Sequence, residues 1–240
     1  MNYWIGTSGF QYPEWKGTFY PEDLPTSKML PYYAERFTTT EVNYSFRRIP
    51  SPKTIQNWWE ATPERFKFSL KAPQKVTHFA KLKNCGDTMQ YFCQVITDLE
   101  TKLGPVLFQL PPNFKKDTGL LADFLECVPG GLRAAFEFRN ASWFDEDVFA
   151  ILNGKNIALC IAESADLSTP VVATADYGYL RLRREDYTDA DMARSARSVA
   201  EKEKVLPDVF VYLKHEESGM GPRLAKQLTG LLGGTGAVPS

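Results

Sequence analysis

Two glutamates and a set of basic and amide side chains recur in short segments that alternate apolar and polar residues. E-V-N-Y-S-F (41–46) opposes Glu41, Asn43 and Ser45 to Val42, Tyr44 and Phe46, and F-K-F-S-L-K (66–71) opposes Lys67, Ser69 and Lys71 to Phe66, Phe68 and Leu70. A-F-E-F-R (135–139) sets Glu137 and Arg139 against Phe136 and Phe138, L-F-Q-L (107–110) offers Gln109, and G-Y-L-R-L-R (178–183) sets Tyr179, Arg181 and Arg183 against Leu180 and Leu182. Side chains alternate along a strand, so each segment presents its polar groups to one side. Glu41 and Glu137 are candidates for general acid or base work. Arg139, Arg181, Arg183 and Lys214 suit the binding of phosphate or carboxylate, because a guanidinium offers a planar fork of donors. Asn43, Lys71, Gln109 and Glu163 complete the candidate substrate-binding set, and His215 is a third catalytic candidate. Paired carboxylates also suit glycoside cleavage, which keeps a sugar-like substrate beside an anionic one. Each glutamate serves equally well as a counter-ion to the arginines in an interior ion-pair net.

What brings these groups together depends on the segments between the strands. Alone, such alternation describes an antiparallel sheet with one wet face. Here helix-length segments intervene. S-P-K-T-I-Q-N-W-W-E (51–60) has Ser51 as N-cap and Pro52 at the first helical position. Residues 88–102 and 118–127 carry apolar residues at helical spacing, and Thr188 with Asp191 forms a capping box before a helix over 189–203. Alternating strand and helix implies parallel strands. Strands near 4, then at 41–46, 66–71, 106–110, 134–138, 157–162, 178–183 and 208–213 make eight. That number in 240 residues fits one closed (β/α)8 barrel. Its helices cover the outer faces, so the polar faces point inward and open at the C-terminal mouth, where such barrels carry function. Residues 1–232 read as a single barrel domain and 233–240 as a glycine-rich flexible tail.

Composition limits the readings further. With 43% hydrophobic and 24% charged residues the chain lies far from the disordered regime. A net charge of −1 and a pI near 6.2 provide no bulk field toward DNA or an anionic membrane, so a basic site must be local. The four cysteines, Cys85, Cys93, Cys127 and Cys160, show no C-x-x-C spacing and read as thiols of a reducing cytoplasm. No leader-like run opens the chain and no apolar stretch approaches ~18 residues, which argues against secretion and membrane spanning. Two histidines, His78 and His215, are too few for a histidine-rich zinc centre, and no cofactor is implied; Glu41, Glu137 and Glu163 are the carboxylates from which a hard cation would draw ligands.

The motifs stand in a recognisable order: G-T-S-G-F-Q-Y-P-E-W-K-G-T-F-Y-P (6–21), E-V-N-Y-S-F (41–46), T-P-E-R-F-K-F (62–68), T-H (77–78), L-F-Q-L-P-P (107–112), E-F-R (137–139) and S-W (142–143). From residue 5 to about 230 the chain resembles the domain of unknown function 72 family, also called YecE-like. The resemblance implies a barrel of eight strands and supplies no established reaction. Near the C-terminus this chain departs from the family pattern. R-L-R-R (181–184) stands for Arg-Leu-His-Gly, V-Y-L-K-H-E (211–216) for Val-Tyr-Phe-Asn-Asn-Asp, and Glu163 for an aspartate. The resemblance therefore implies a variant mouth, with altered charge at Arg183, Lys214 and His215.

Three functions are compatible with these residues. The first is an enzyme using acid-base chemistry on a small anionic or sugar-like substrate. The second is a nucleic-acid binding or processing module that uses the aromatic first loop (Phe10, Tyr12, Trp15, Phe19, Tyr20) and the cationic mouth. The third is a non-catalytic scaffold. In the last loop, E-S-G-M-G-P-R (217–223), Gly219 and Gly221 either admit an anion to a helix N-terminus or only turn the chain. The aromatics of the first loop fit a packed plug better than an open stacking platform.

Overall fold

The computed structural model describes residues 2–163, 167–203, 206–214 and 219–233. Eight strands close into a wholly parallel barrel: β1 (Asn2–Ser8), β2 (Thr39–Val42), β3 (Lys67–Lys71), β4 (Leu103–Gln109), β5 (Ala134–Glu137), β6 (Ala158–Ala162), β7 (Tyr177–Leu182) and β8 (Asp208–Leu213). Each pairs with the next and β8 returns to β1, with six register pairs from Asn2↔Asp208 to Thr7↔Leu213. Around it run α1 (Met29–Ala34), α2 (Tyr44–Arg47), α3 (Pro52–Glu60), α4 (Gly86–Ile96), α5 (Thr118–Leu125), α6 (Glu146–Gly154), α7 (Asp189–Glu203) and α8 (Met220–Leu231). His215 and, apart from Gly233, the tail lie outside the described residues.

The barrel has two apolar layers. Outward residues such as Phe68, Phe108, Phe136 and Leu180 join the helices in one continuous core. A smaller cluster fills the barrel itself, with Leu107, Ala135, Cys160, Tyr179, Phe210 and Tyr212. Tyr212 OH donates to Ser69 Oγ and lies beside Thr39 Oγ1, both at 2.8 Å, so its buried hydroxyl is satisfied across the interior. At Gly6 a Cβ would stand 2.0 Å from the Thr39 carbonyl oxygen, so only glycine lets β1 and β2 approach this closely.

Local signals account for the helix starts. Ser51 Oγ accepts from Thr54 N at 3.1 Å ahead of Pro52. Thr188 Oγ1 accepts from Asp191 N at 3.2 Å while Asp191 Oδ2 accepts from Thr188 N at 2.9 Å, the reciprocal box expected for α7. The segment 88–102 is not one helix. It becomes a 3-10 turn at Thr97–Lys102, with Glu100 in the left-handed half of backbone space (φ 49°), and buried Lys102 anchors the turn by donating to Trp59 O at 2.5 Å and Thr62 O at 2.7 Å. Helices α1 and α6 were not predicted.

The strand expected over 41–46 ends at Val42, and Asn43 and α2 leave the barrel. The cause is Ser45, buried, whose hydroxyl shares its one proton between Lys71 O at 2.7 Å and Val42 O at 3.0 Å, pulling the chain over the end of β3. Phe46 therefore does not lie with Val42. The first loop is a packed aromatic plug: Trp15 and Tyr20 are buried, with Phe19 edge-on to Trp15 and Tyr20 stacked on it. Gly219, left-handed at φ 68° and buried, meets this loop, where a Cβ would stand 2.3 Å from Thr18 Oγ1. Close approach thus accounts for that glycine.

Candidate active site at the barrel mouth

Strand register brings the chemistry to one level. Ser8 is paired with Glu41, Glu41 with Ser69, and Gln109 with Glu137, all near the C-terminal ends of their strands. Arg181 enters from β7 and is almost completely buried (2% exposed). Its two terminal nitrogens bridge the glutamates: one donates to Glu137 Oε2 at 2.5 Å, the other to Glu41 Oε1 at 2.8 Å. Glu41 also accepts from Ser8 Oγ at 2.5 Å and Tyr179 OH at 2.7 Å. Glu137 accepts from Gln109 Nε2 at 2.9 Å and from Arg139 Nε and a terminal nitrogen, both at 2.9 Å. Asn43 joins through its Nδ2, which donates to Ser8 Oγ at 2.8 Å.

This packing fixes the state of Glu137. Burial alone would raise the Glu137 pKa, yet Arg181 and then Arg139, aided by the Gln109 hydrogen bond, lower it to about 2. Glu137 is therefore a permanent anion near neutrality, an acceptor and a brace for the arginines. The Tyr179 phenol is pushed well up by burial and by Glu41, so it remains a donor. The Arg181 guanidinium stands between Glu41 and Glu137, where a shared cation would have to lie. Among the described residues, no group of three or more His, Cys, Asp or Glu side chains is placed to hold a metal.

Lys71 behaves differently. Its Nζ donates to Gln109 Oε1 at 2.8 Å and sits 4.0 Å from the centre of the Phe46 ring, whose other neighbour is the His78 ring, edge-on at 4.9 Å. Burial, with Arg181 adding to it, lowers the ammonium pKa to about 8, against weaker opposition from Glu41 and Glu137. His78 is lowered too, by burial first and then by Lys71 and Arg139. A π-helical turn (Lys75–Phe79) carries it, a form of helix often found at functional sites.

Outside the bridged glutamates lies a cavity of about 770 Å³, lined by Glu137, Arg139, Thr169, Arg183, Arg184 and Asp186 among others. Arg183 has one terminal nitrogen 3.5 Å from Glu137 Oε1, a loose ion pair, and its buried Nε has no acceptor among the described residues. Arg184 is already engaged, by Asp191 at 3.0 Å and Asp186 at 3.3 Å. Glu163 accepts from Tyr187 OH at 2.5 Å on the rim, and Lys214, half-buried, follows β8 directly. Of the predicted set, Glu41, Asn43, Lys71, Gln109, Glu137, Arg139, Arg181 and Arg183 thus share one connected neighbourhood, Glu163 and Lys214 sit at its edge, and His215 lies outside the described residues.

The family model described as "Protein of unknown function DUF72" matches residues 4–239. The chain belongs to the DUF72 family. It is 30% identical over 113 residues to UPF0759 protein YecE of Escherichia coli K12, covering 47% of this chain and 42% of that protein. With UPF0759 protein YunF of Bacillus subtilis it shares 31% over 135 residues, covering 53% and 48%. These alignments span less than half of either relative. A crystal structure of a DUF72 family protein from Thermotoga maritima superposes with a TM-score of 0.82 at 26% identity, covering 97% of this chain and 99% of that one.

The segments that carry the family resemblance supply much of the bridged network. G-T-S supplies Ser8, E-V-N supplies Glu41 and Asn43, F-Q-L supplies Gln109, and E-F-R supplies Glu137 and Arg139. Sequence reasoning set Tyr179 on the inward polar face without a role in the site, and it missed the neutral donor Ser8, the buried Tyr212 beneath the network, and the Phe46 and His78 wall beside Lys71. Tyr179 and Tyr212 each alternate with aliphatic residues in G-Y-L-R and V-Y-L, which was the available signal.

Proposed function

We propose that this protein is an enzyme acting on a small substrate that carries a carboxylate or phosphate, bound at the barrel mouth by Arg139 and Arg183, with Lys71 exchanging the proton. Glu41 and Glu137 hold Arg181 and Arg139 in place, Glu137 as a fixed anion, and Gln109 relays that order to Lys71. The observation that carries this reading is Arg183. It lines a cavity of about 770 Å³ with a buried donor lacking an acceptor among the described residues and only a 3.5 Å contact to a carboxylate already served by closer partners. A buried donor without a partner costs free energy, which an incoming anion would recover. Four cations, Lys71, Arg139, Arg181 and Arg183, stand against the two interior carboxylates Glu41 and Glu137, while Arg184, Glu185 and Asp186 line the outer part of the cavity.

Calorimetric titration with inorganic phosphate and with pyruvate tests this. Saturable binding by at least one of them that weakens tenfold or more in Arg183→Ala, with an unchanged circular dichroism spectrum, is the expected result. Equal affinity in the two proteins would refute it.

A further inference from the structure

We propose that Lys71 is a covalent nucleophile: its Nζ condenses with the carbonyl carbon of a small oxo acid or phosphorylated aldehyde whose anionic group rests on Arg139 and Arg183. The inference deepens the anion-binding reading and rests on it. Lys71 is the last residue of β3, at the mouth end of the strand, and is only partly exposed. Its ammonium is oriented by a neutral acceptor, Gln109 Oε1 at 2.8 Å, and among the described residues no carboxylate pairs with it. An amide oxygen fixes the direction of one N–H and leaves deprotonation less costly than an ion pair would. Gln109 cannot swing away easily, because its Nε2 is held by Glu137 at 2.9 Å. The Phe46 ring covers another side of the amine at 4.0 Å and keeps water from it.

Burial, more than the surrounding charges, makes the free amine of Lys71 accessible. Arg181 from β7 and Arg139 after β5 lower its pKa, Glu41 from β2 and Glu137 from β5 raise it, burial outweighs each, and the net value is about 8 rather than 10.5. His78, on the turn after β3, is itself lowered by Lys71 and so adds little positive charge. Amines desolvated beside other cations are the ones that form imines at neutral pH.

The step balances without an added oxidant or reductant. The free amine attacks the carbonyl carbon, an N–C bond forms, and the π pair moves to oxygen. A proton passes from nitrogen to that oxygen to give the carbinolamine. The hydroxyl then takes a second proton and leaves as water while the nitrogen lone pair closes the C=N bond. Overall, one lysine ammonium and one carbonyl give one protonated imine and one water.

The test is reductive trapping of the full chain with sodium cyanoborohydride and, separately, pyruvate, glyoxylate and glyceraldehyde 3-phosphate, followed by peptide mass spectrometry. At least one of these should give a single adduct per chain on Lys71, with a rate half-maximal near pH 8. Inorganic phosphate should compete, Arg183→Ala should lower the rate tenfold or more at low carbonyl concentration, and Lys71→Arg, which keeps the charge, should give no adduct. No adduct from any of the three, or labelling of surface lysines that is the same in Lys71→Arg, overturns the inference. If phosphate still binds in an Arg183-dependent way, the anion-binding reading survives that loss. An adduct on Lys71 indifferent to phosphate and to Arg183→Ala would instead overturn the role given to the arginines.

Discussion

Replacing Arg181 by methionine removes the guanidinium that joins Glu41 to Glu137 while keeping an unbranched apolar side chain in its place. Both carboxylates are essentially inaccessible to water, at 0% and 1% exposed. Losing one partner of a buried pair typically costs about 3–5 kcal/mol; here Glu137 keeps Arg139, while Glu41 is left with the neutral donors Ser8 and Tyr179 and no counter-ion. The Glu137 pKa gives the scale for all its donors together, Arg181 first, then Arg139 and Gln109. A carboxyl moved from 4.5 to about 2 corresponds to about 3 kcal/mol in favour of its ionised form. For a chain of this size that loss lowers Tm by about 6–20 °C. The pH dependence follows from the direction of the shift. A depressed carboxyl stabilises the fold fully above its unfolded value near 4.5, and that contribution is lost as pH falls toward about 2. The gap between wild type and Arg181→Met should therefore be widest at neutral pH and narrow below pH 4.5. Urea denaturation at several pH values measures it, together with Arg181→Met/Glu41→Gln, which should recover at least about 1 kcal/mol by removing the carboxylate left without a counter-ion. A loss below about 1 kcal/mol at pH 7, or a double variant no more stable than the single one, would refute the argument.

Gly6→Ala should destabilise the barrel by more than about 2 kcal/mol in the same assay, because the added methyl meets the backbone oxygen of Thr39 at 2.0 Å and the two strands must part. Thr188→Ala should cost about 0.5–2 kcal/mol by removing the cap that receives Asp191 N at 3.2 Å, without altering phosphate affinity. Gln109→Glu places a carboxylate against Lys71 Nζ and should raise the pH at which Lys71 reacts above about 8, read from the pH profile of cyanoborohydride trapping.

The architecture was legible because parallel barrel strands keep one polar face. Glu41, Gln109, Glu137 and Arg181 alternate with large apolar residues, and a closed barrel gives such faces one shared interior. Period alone fails where a strand ends. Tyr44 and Phe46 continue the alternation of E-V-N-Y-S-F, but the hydrogen bonds of Ser45 to Val42 O and Lys71 O are tertiary, and they end the strand at Val42. Helix α1 holds only six residues and starts with no side-chain cap, so it offered little periodicity to read. The charges were also easier to find than their states. That Glu137 is a fixed anion and Lys71 a weakened cation depends on which donors surround each, and strand register and closure decide that.

The most direct test of the central claim is a crystal structure of the protein grown without other oxyanions and soaked with phosphate. The anion should lie in the mouth cavity within hydrogen-bonding distance of Arg139 and Arg183, filling the donor position that Arg183 Nε leaves without an acceptor. Phosphate found only at the opposite end of the barrel, beside Lys67 and Arg133 in the cavity lined by Trp4 and Asp208, would contradict the account.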